Sequence, residues 1–272
     1  MNVGWRSREF PLSGEKAWSA VKTTPDNQFL ASLTAHDLDS LRPHLREMRL
    51  LHHAVLAKAD EEVSVVYLPE SGVISLVVGL ADGQMVEVAM IGCDSLFGAA
   101  TALDGRNSLS DAIVQVAGFA QAIDSGHLRR LADGSATLRA TIARHEEFLL
   151  AQALQTAACN ATHPLDARLA KWLLRAHDLT GADSMALTQE FLAQMLGVQR
   201  SSVSVTANLL QQAGLIRYTR GQITIVDHAR LEGAACECRK TLAVRGGRLM
   251  RPNGIGYSNS DRESRQQKPL PD

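Results

Sequence analysis

Hydrophobic positions follow two different periods along the chain, and the changes of period divide it into regions. Residues 1–26 show no sustained apolar period, and we expect a loosely ordered lead-in there. Leucines recur near helical spacing over residues 30–45, where Thr34 and Asp37 are candidate helix caps. Over residues 50–123 short runs rich in β-branched residues replace this period, and such runs predict strands.

The β-rich region is predicted to contain short antiparallel strands. Asp82 and Gly83 separate two of the runs, and an Asp-Gly pair favours a tight hairpin because both residues tolerate positive φ. Short strands joined by Gly and Asp turns are typical of a sandwich or barrel. The predicted strands cover residues 63–68, 73–80, 85–91 and 113–116.

A long helix is predicted next, because residues 135–162 contain neither glycine nor proline. Pro164 disfavours helical geometry at His163, so the helix should end there and the hinge between two domains should follow. Positions spaced alternately by four and three form a heptad stripe, which we expect to be a dimer seam, although packing on its own domain also explains it. The predicted dimer residues are Leu138, Ile142, His145, Leu149 and Gln152.

Two short helices joined by a tight turn are predicted over residues 187–212. Thr188 is placed to cap the first helix, Gly197 allows a sharp turn, and the second helix covers residues 199–212. This is the pattern of a helix-turn-helix, whose second helix enters the DNA major groove N-terminal end first. Small polar residues there allow close approach, and Arg200 can pair bidentately with guanine. The predicted base-reading residues are Gln199, Arg200, Ser201, Ser202 and Ser204.

A basic hairpin is predicted directly after these helices. Residues 214–226 give a strand, an Arg-Gly turn and a second strand, the pattern of a wing whose cations lie near phosphates. Helix-turn-helix geometry also occurs in proteins that bind no DNA, but a polar recognition face beside a basic wing favours DNA. The predicted phosphate contacts are Thr188, Gln189, Arg217, Tyr218 and Arg220.

Charge is distributed unevenly, although the formal net charge is only −1. Residues 60–125 hold ten acidic side chains and one basic one, whereas residues 239–272 hold eight basic and three acidic ones. The middle of the chain should therefore repel anions and the tail should attract them. No apolar stretch reaches the roughly 18 residues that span a bilayer, and no apolar segment follows the N-terminal charges, so we expect a cytoplasmic protein.

The chain resembles the Crp/Fnr family of transcription regulators over about residues 27–240, most specifically over residues 187–227. The resemblance implies an α+β fold: an N-terminal antiparallel β-roll (a jelly-roll-like double-stranded β-helix), a long dimerisation helix and a C-terminal winged helix-turn-helix. It also implies a homodimer on double-stranded DNA, with RNA polymerase as a further partner and no membrane. Other matching features are the hairpin at residues 80–85, Gly92, Gly98 and the segment 168–174.

The resemblance also sets the expected domain boundaries. These are a loosely ordered segment at residues 1–26, a cyclic-nucleotide-binding-like effector domain at 27–134, a dimerisation helix and hinge at 135–163, a winged helix-turn-helix domain at 164–240 and a disordered basic tail at 241–272.

Cyclic-nucleotide-binding members of the family carry a phosphate cassette that this chain does not match. Ala99 follows Gly98 where the family has a glutamate, and Asp111 stands where it has an arginine. Arg106 lies in a predicted turn, where it should be solvated. We therefore expect no cyclic-nucleotide binding, and the effector, if the domain has one, stays open.

The cysteines do not form the pattern of the iron–sulfur members, which need four that converge on a cluster. Cys93 belongs to the β-roll and Cys159 to the long helix, so only Cys236 and Cys238 are close in sequence. On a helix that pair points its sulfurs in different directions, which favours packing over metal binding. The adjacent histidines at residues 52–53 are interpreted as surface residues, and no metal or cofactor is predicted.

Two other classes of function compete with a regulator. A small-molecule or redox sensor in which DNA binding is secondary is the main alternative. An enzyme is not expected, because no Ser/His/Asp order, phosphate-cradling loop or His/Glu metal motif stands out. Ser201 and Val205 replace charged residues of the best-known family members, so the target DNA sequence should differ from theirs.

Overall fold

The structure is a computed structural model that describes residues 27–249 apart from Asp82. The predicted lead-in at residues 1–26 therefore lies outside the described residues, as does the last part of the predicted tail, residues 250–272. The described chain begins with helices α1 (Gln28–Ala31) and α2 (Ala35–Leu41) and a short 3-10 turn at Arg42–His44.

Thr34 caps helix α2 as predicted. Its hydroxyl oxygen accepts a hydrogen bond from the Asp37 amide at 3.1 Å, and the hydroxyl donates to the Asp37 carboxylate at 2.8 Å. The same carboxylate accepts from the hydroxyls of Ser135 at 2.5 Å and Thr137 at 2.6 Å. One buried carboxylate thus ties the first helices to the start of the long helix.

Seven antiparallel strands form the β-roll as two facing sheets, of order β1-β7-β3 and β2-β6-β4-β5. The interior between them is filled by small and branched side chains such as Ile74, Val114 and Ala120. The four predicted strands are confirmed, whereas β1, β2 and β7 have no individual counterpart among the predictions. The strands are β1 (Arg46–Leu50), β2 (Val55–Ala57), β3 (Val65–Pro69), β4 (Val73–Gly79), β5 (Met85–Ile91), β6 (Asp111–Val116) and β7 (Gly118–Asp124).

Three helices complete the N-terminal part: α3 (Ala99–Asp104), α4 (Ser125–Gly134) and α5 (Ala136–Thr162). Helix α5 is the predicted long helix, and its 27 residues give it a length of about 40 Å. Ser135 caps it by accepting from the Leu138 amide at 3.1 Å. The helix ends at the residue before His163, as the following proline requires.

The stripe of α5 that was predicted to form a dimer seam instead packs on its own chain, which corrects that assignment. Leu138 and Ile142 are each 1% exposed, His145 is fully buried and Gln152 is 3% exposed. His145 Nε2 lies 3.1 Å from the Leu96 amide and accepts from it, and Leu149 packs against the interior of the β-roll. The 4-3 spacing identifies a buried stripe correctly, but spacing does not say which surface covers it.

The C-terminal part is a winged helix-turn-helix domain. Its strand β10 lies between β8 and β9 in a three-stranded antiparallel sheet. The elements are α6 (Leu165–Thr180), β8 (Ser184–Ala186), α7 (Gln189–Leu196), α8 (Arg200–Gln212), β9 (Ile216–Thr219), β10 (Gln222–Ile225), α9 (His228–Ala234) and α10 (Cys238–Leu249).

Helix α10 corrects the prediction of a disordered tail from residue 241 onward, since residues 241–249 are helical. The glycines and basic residues of this segment suggest disorder, but tertiary contacts hold it. The Arg239 guanidinium donates to both carboxylate oxygens of Asp178, at 2.8 and 2.7 Å. Gly246 lies so close to helix α5 that a Cβ there would come within 2.9 Å of the Phe148 ring.

The β-roll and the winged domain share one hydrophobic core. Val73, Val77 and Met90 of the roll belong to the same cluster of buried residues as Trp172 and Leu196 of the winged domain. The packing is close, because a Cβ at Gly92 of the roll would meet the Leu179 side chain at 2.8 Å. The two domains therefore meet across a packed apolar seam in this structure.

A carboxyl group is buried in that seam. Glu87 of strand β5 accepts a hydrogen bond from the Trp172 indole N–H at 2.8 Å and another from the Ser75 hydroxyl. Burial raises the pKa of Glu87 to about 7, against the partial opposition of these two hydrogen bonds. Because the folded-state pKa exceeds the unfolded one, ionisation of Glu87 destabilises the folded chain.

We predict that Glu87→Gln flattens the pH dependence of stability. In the wild type the contribution of Glu87 is fully present below about pH 4.5 and is lost as pH rises through about 7. A rise of this size in the pKa of Glu87 lowers the stability of the wild type at pH 8 by roughly 3 kcal/mol relative to low pH. A neutral amide at this position avoids that loss. Urea denaturation of the variant from pH 5 to 8 should therefore show a gain over wild type that grows with pH.

The matched control is Glu61→Gln, at an exposed glutamate of the same domain. Its stability should follow the wild-type pH curve. If the curves of Glu87→Gln and wild type run parallel across this range, Glu87 is not the titrating group in the seam.

Candidate nucleic-acid interface

Helix α7 and its following turn have the predicted geometry. The Phe191 amide donates to the Thr188 hydroxyl oxygen at 3.1 Å, which caps the helix. Gly197 ends it in the left-handed region, with φ of 62°. A Cβ at Gly197 would lie 3.0 Å from the Val86 side chain of the β-roll, so glycine serves both the turn and the domain contact.

Helix α8 presents a polar N-terminal end to solvent. Arg200, Ser201 and Ser202 are exposed at its start, with Gln199 just before it. Its inner face is formed by four buried residues: Val203, Thr206, Ala207 and Leu210. Leu209 was predicted to point inward, but it is 57% exposed, because it lies one helical position away from the buried stripe.

Two residues predicted to contact DNA also bond to each other. The Ser204 hydroxyl donates to the Gln189 side-chain oxygen, which joins the middle of α8 to the first residue of α7. Ser204 is half-buried. This contact fixes the relative position of the two helices, so both residues have a structural role in addition to any contact with DNA.

The wing is a tight hairpin between β9 and β10. Thr219 pairs with Gln222, and the two residues between them, Arg220 and Gly221, have φ of 50° and 78°. Positive φ at both central residues is characteristic of the two-residue hairpin turn whose twist matches that of the flanking strands. The Leu187 amide donates to the Gly221 carbonyl at 2.8 Å, which fixes the wing beside the start of α7.

The predicted phosphate contacts of the wing differ in availability. Arg217 and Arg220 are both exposed. The Tyr218 hydroxyl donates to the Leu187 carbonyl at 3.3 Å, and burial raises its pKa. The Arg200 charge opposes part of this rise in the pKa of Tyr218. Arg200 of α8 and Arg217 and Arg220 of the wing are three exposed cations of the helix-turn-helix domain.

At the position of the family's phosphate cassette, this β-roll has different residues with contacts of their own. Gly98 has φ of 94° and precedes helix α3. Ala99 follows it at the position where the family has a glutamate, and its side chain is fully buried. The Asp111 carboxylate accepts from the Ala59 amide at 2.8 Å. Arg106 pairs with the neighbouring Asp104 at 2.7 Å, and its side chain is 83% exposed, as the predicted turn implied.

The cysteines are arranged differently from the sequence-based interpretation. Cys159, Cys236 and Cys238 converge with His163, and their ligand atoms all lie within 4.8 Å of one another. Cys236 precedes helix α10 and Cys238 begins it, so they do not point apart as two residues within one helix do. The Cys-x-Cys pair is visible in the sequence, but the 77-residue separation from Cys159 conceals the cluster, and His163 reads there only as a helix end.

The described helices include none that is long and apolar enough to cross a membrane.

Residues 167–234, which span α6 to α9, match the sequence profile of the Crp-like helix-turn-helix domain. A search of the curated proteins found no match.

Many solved structures share the fold. FixK2 from Bradyrhizobium japonicum has a TM-score of 0.60 at 19% identity, covering 71% of this chain and 98% of that chain. The c-di-GMP-responsive regulator CLP from Xanthomonas campestris has a TM-score of 0.58 at 14% identity, covering 71% and 100%. A CRP-family transcriptional regulator from Thermus thermophilus has a TM-score of 0.54 at 25% identity, covering 70% and 99%.

A β-roll, a long connecting helix and a Crp-like winged helix together define the class of DNA-binding transcription regulators. Residues 167–234 are a Crp-like helix-turn-helix domain, and the chain shares its overall fold with transcription regulators described as Crp/Fnr-type.

We predict that Arg200→Ala selectively weakens binding to the target site. An arginine at the start of a recognition helix reads guanine through two hydrogen bonds, and losing them costs about 1–3 kcal/mol on the specific site and little on random DNA. The measurement is fluorescence anisotropy on a genomic site mapped for the wild type and on random duplex.

Arg217→Ala is the matched comparison, since Arg217 is an exposed arginine of the wing rather than of α8. Arg220 is less suitable, because it is a central residue of the tight turn itself. Loss of a phosphate contact should weaken binding on both duplexes and reduce the salt slope by about one ion. Equal losses for Arg200→Ala on both duplexes would show that Arg200 contacts only phosphate.

Proposed function

We propose that the protein is a homodimer that reads a specific DNA sequence with the start of helix α8 and positions itself with its wing. The observation that carries this proposal is the exposure of three arginines in a packed helix-turn-helix domain: Arg200 at the start of α8, and Arg217 and Arg220 on the wing. Gln199, Ser201 and Ser202 are exposed at the same end of α8 and are proposed to contact base edges. A cytoplasmic location and contact with RNA polymerase belong to the same proposal.

The proposed dimer seam is the outer face of α5 rather than the buried one. A second stripe with alternating 4-3 spacing runs along this helix, and it is exposed throughout. Its alanines allow two helices to approach closely, and Leu150 and Leu154 are 59% and 60% exposed. Its members are Ala136, Ala140, Ala143, Glu147, Leu150, Leu154, Ala157 and Ala161.

A parallel pair of α5 helices would relate the two winged domains by a two-fold axis. Such a dimer contacts two half-sites separated by about one helical turn of DNA, and the target should then be a pseudo-palindrome. This spacing is the geometric consequence that distinguishes the dimer from a monomer that binds a single half-site.

We predict that Leu154→Asp produces a monomer. A charge on each side of the two-fold axis would be buried without a partner, which is strongly destabilising to an interface. Sedimentation velocity at micromolar concentration should show the loss of the dimer, and binding to the two half-sites should weaken with it.

Leu109→Asp serves as the control, since Leu109 is 93% exposed in the β-roll and lies away from α5. It should leave the dimer unchanged. A wild-type protein that sediments as a monomer at this concentration would contradict the proposed seam.

We also predict that cyclic AMP and cyclic GMP do not bind at physiological levels. A cyclic phosphate needs a cationic or N–H-rich cradle, and here an aspartate occupies the expected position. Like charges at about 4 Å cost several kcal/mol in a partly buried pocket. Calorimetric titration should give a dissociation constant above roughly 10 µM, because such a cost weakens binding by orders of magnitude.

Asp111→Arg is the informative companion, because it supplies the missing cation. If that variant gains measurable affinity, Asp111 is correctly placed in the cassette. Tight binding of either nucleotide to the wild type would show that another cation reaches the phosphate.

A further inference from the structure

Three cysteines and one histidine converge where the long helix meets the winged domain. Cys159 lies in the last turn of α5, and His163 is the residue that follows the end of this helix. Cys236 and Cys238 come from the junction between α9 and α10. Cys159 and Cys238 are fully buried and Cys236 is 8% exposed, so the cluster is shielded from solvent.

We propose that Cys159, His163, Cys236 and Cys238 bind a single zinc ion with tetrahedral coordination. The ion would tie helix α10 and the winged domain to the end of helix α5. This site is additional to the proposed DNA-binding function and does not depend on it.

The distances within the cluster fit one ion. Zinc bonds of about 2.3 Å to sulfur and 2.0–2.1 Å to nitrogen place tetrahedral neighbours about 3.8 Å apart for two sulfurs and about 3.6 Å for sulfur and nitrogen. Here the sulfurs of Cys159 and Cys236 are 3.6 Å apart, and the Cys238 sulfur lies 3.6 Å from His163 Nδ1. The largest separation, 4.8 Å, needs only a small inward movement.

The surroundings of the histidine are those of a metal ligand. Its Nδ1 faces the cysteines, and its Nε2 lies 3.3 Å from a carboxylate oxygen of Glu237. Histidines that bind metals typically donate their second ring N–H to a carboxylate, which fixes the tautomer and the ring orientation. Glu237 stands between the two cysteines in sequence, so one short segment supplies two ligands and this partner.

Charge in the surroundings also fits bound thiolates. Zinc binding releases one proton from each thiol, and three thiolates with a neutral imidazole leave the site with a net charge of about −1. Lys171 Nζ lies 3.5 Å from the Cys159 sulfur, and the Gln155 amide donates to the Cys238 sulfur at 3.2 Å.

A single ion fits better than an iron–sulfur cluster. The ligands of such a cluster are divided among two or four iron atoms, so ligands on different irons stand farther apart than ligands of one ion. A tetrahedral set of sulfur and nitrogen ligands selects zinc among the common divalent metals. Four protein ligands with no open position correspond to a structural site rather than a catalytic one.

The experiment uses the full-length chain and Co(II) as a spectroscopic probe. After removal of bound metal with a chelator under reducing conditions, Co(II) is added and the visible spectrum recorded. We expect one Co(II) per chain with the intense bands of tetrahedral thiolate coordination, displaced by one equivalent of Zn(II). Zn(II) alone should raise the melting temperature of the metal-free protein by several degrees.

Variants separate the site from the rest of the chain. Cys236→Ser should abolish the thiolate spectrum, whereas the control Cys93→Ser, in the β-roll, should retain it. Glu237→Gln changes a side chain that is 71% exposed and therefore tests the site without risk to folding. It should weaken metal binding about 10- to 100-fold.

Three outcomes would overturn the proposal. One is a wild-type protein that binds no Co(II) in tetrahedral geometry. Another is an unchanged spectrum and affinity in Cys236→Ser. The third is a disulfide between Cys159 and Cys236 in freshly purified, alkylated protein, which would assign the pair to redox chemistry instead. All three readouts are independent of DNA binding, so failure here would leave the proposed function standing.

Discussion

Helix α5 is the constraint on which the rest of the structure depends, because its two faces and its end each meet a different requirement. Its inner face is buried on its own chain: Leu138 and Ile142 join the core between the β-roll and the N-terminal helices, and His145 is buried beside them. Its outer face carries the exposed stripe proposed as the dimer seam. Its C-terminal end supplies Cys159 and His163 to the cluster beside the winged domain. In the proposed dimer, this one rigid helix sets the positions of the β-roll, the second subunit and the DNA-reading domain relative to its own axis.

Local signals explain what the sequence predicts well. The cap at Thr188, the turn at Gly197 and the Arg220-Gly221 hairpin depend on residues close together in the chain, and the structure has all three. The boundaries of α5 follow equally from a serine cap and a proline.

What sequence alone does not predict depends on contacts between distant segments. A stripe spaced 4-3 occurs twice on α5, and only the β-roll decides which one is buried. Helix α10 has the composition of a disordered segment because its stability comes from the Arg239 contact with Asp178 and from packing on α5. The cysteine cluster joins residues 77 positions apart, and no spacing rule connects them.

The packed seam between the roll and the winged domain makes the two halves one cooperative unit. With Val73, Val77 and Met90 in the same core as Trp172, separating the domains would expose that apolar surface to water. Native-state fluctuations that open the winged domain alone are therefore costly, and its stability is not a property of that domain by itself. Sequence variation at the seam is consequently constrained in pairs: a larger side chain at Gly92 requires a smaller one at residue 179, which is distant along the chain but adjacent in space.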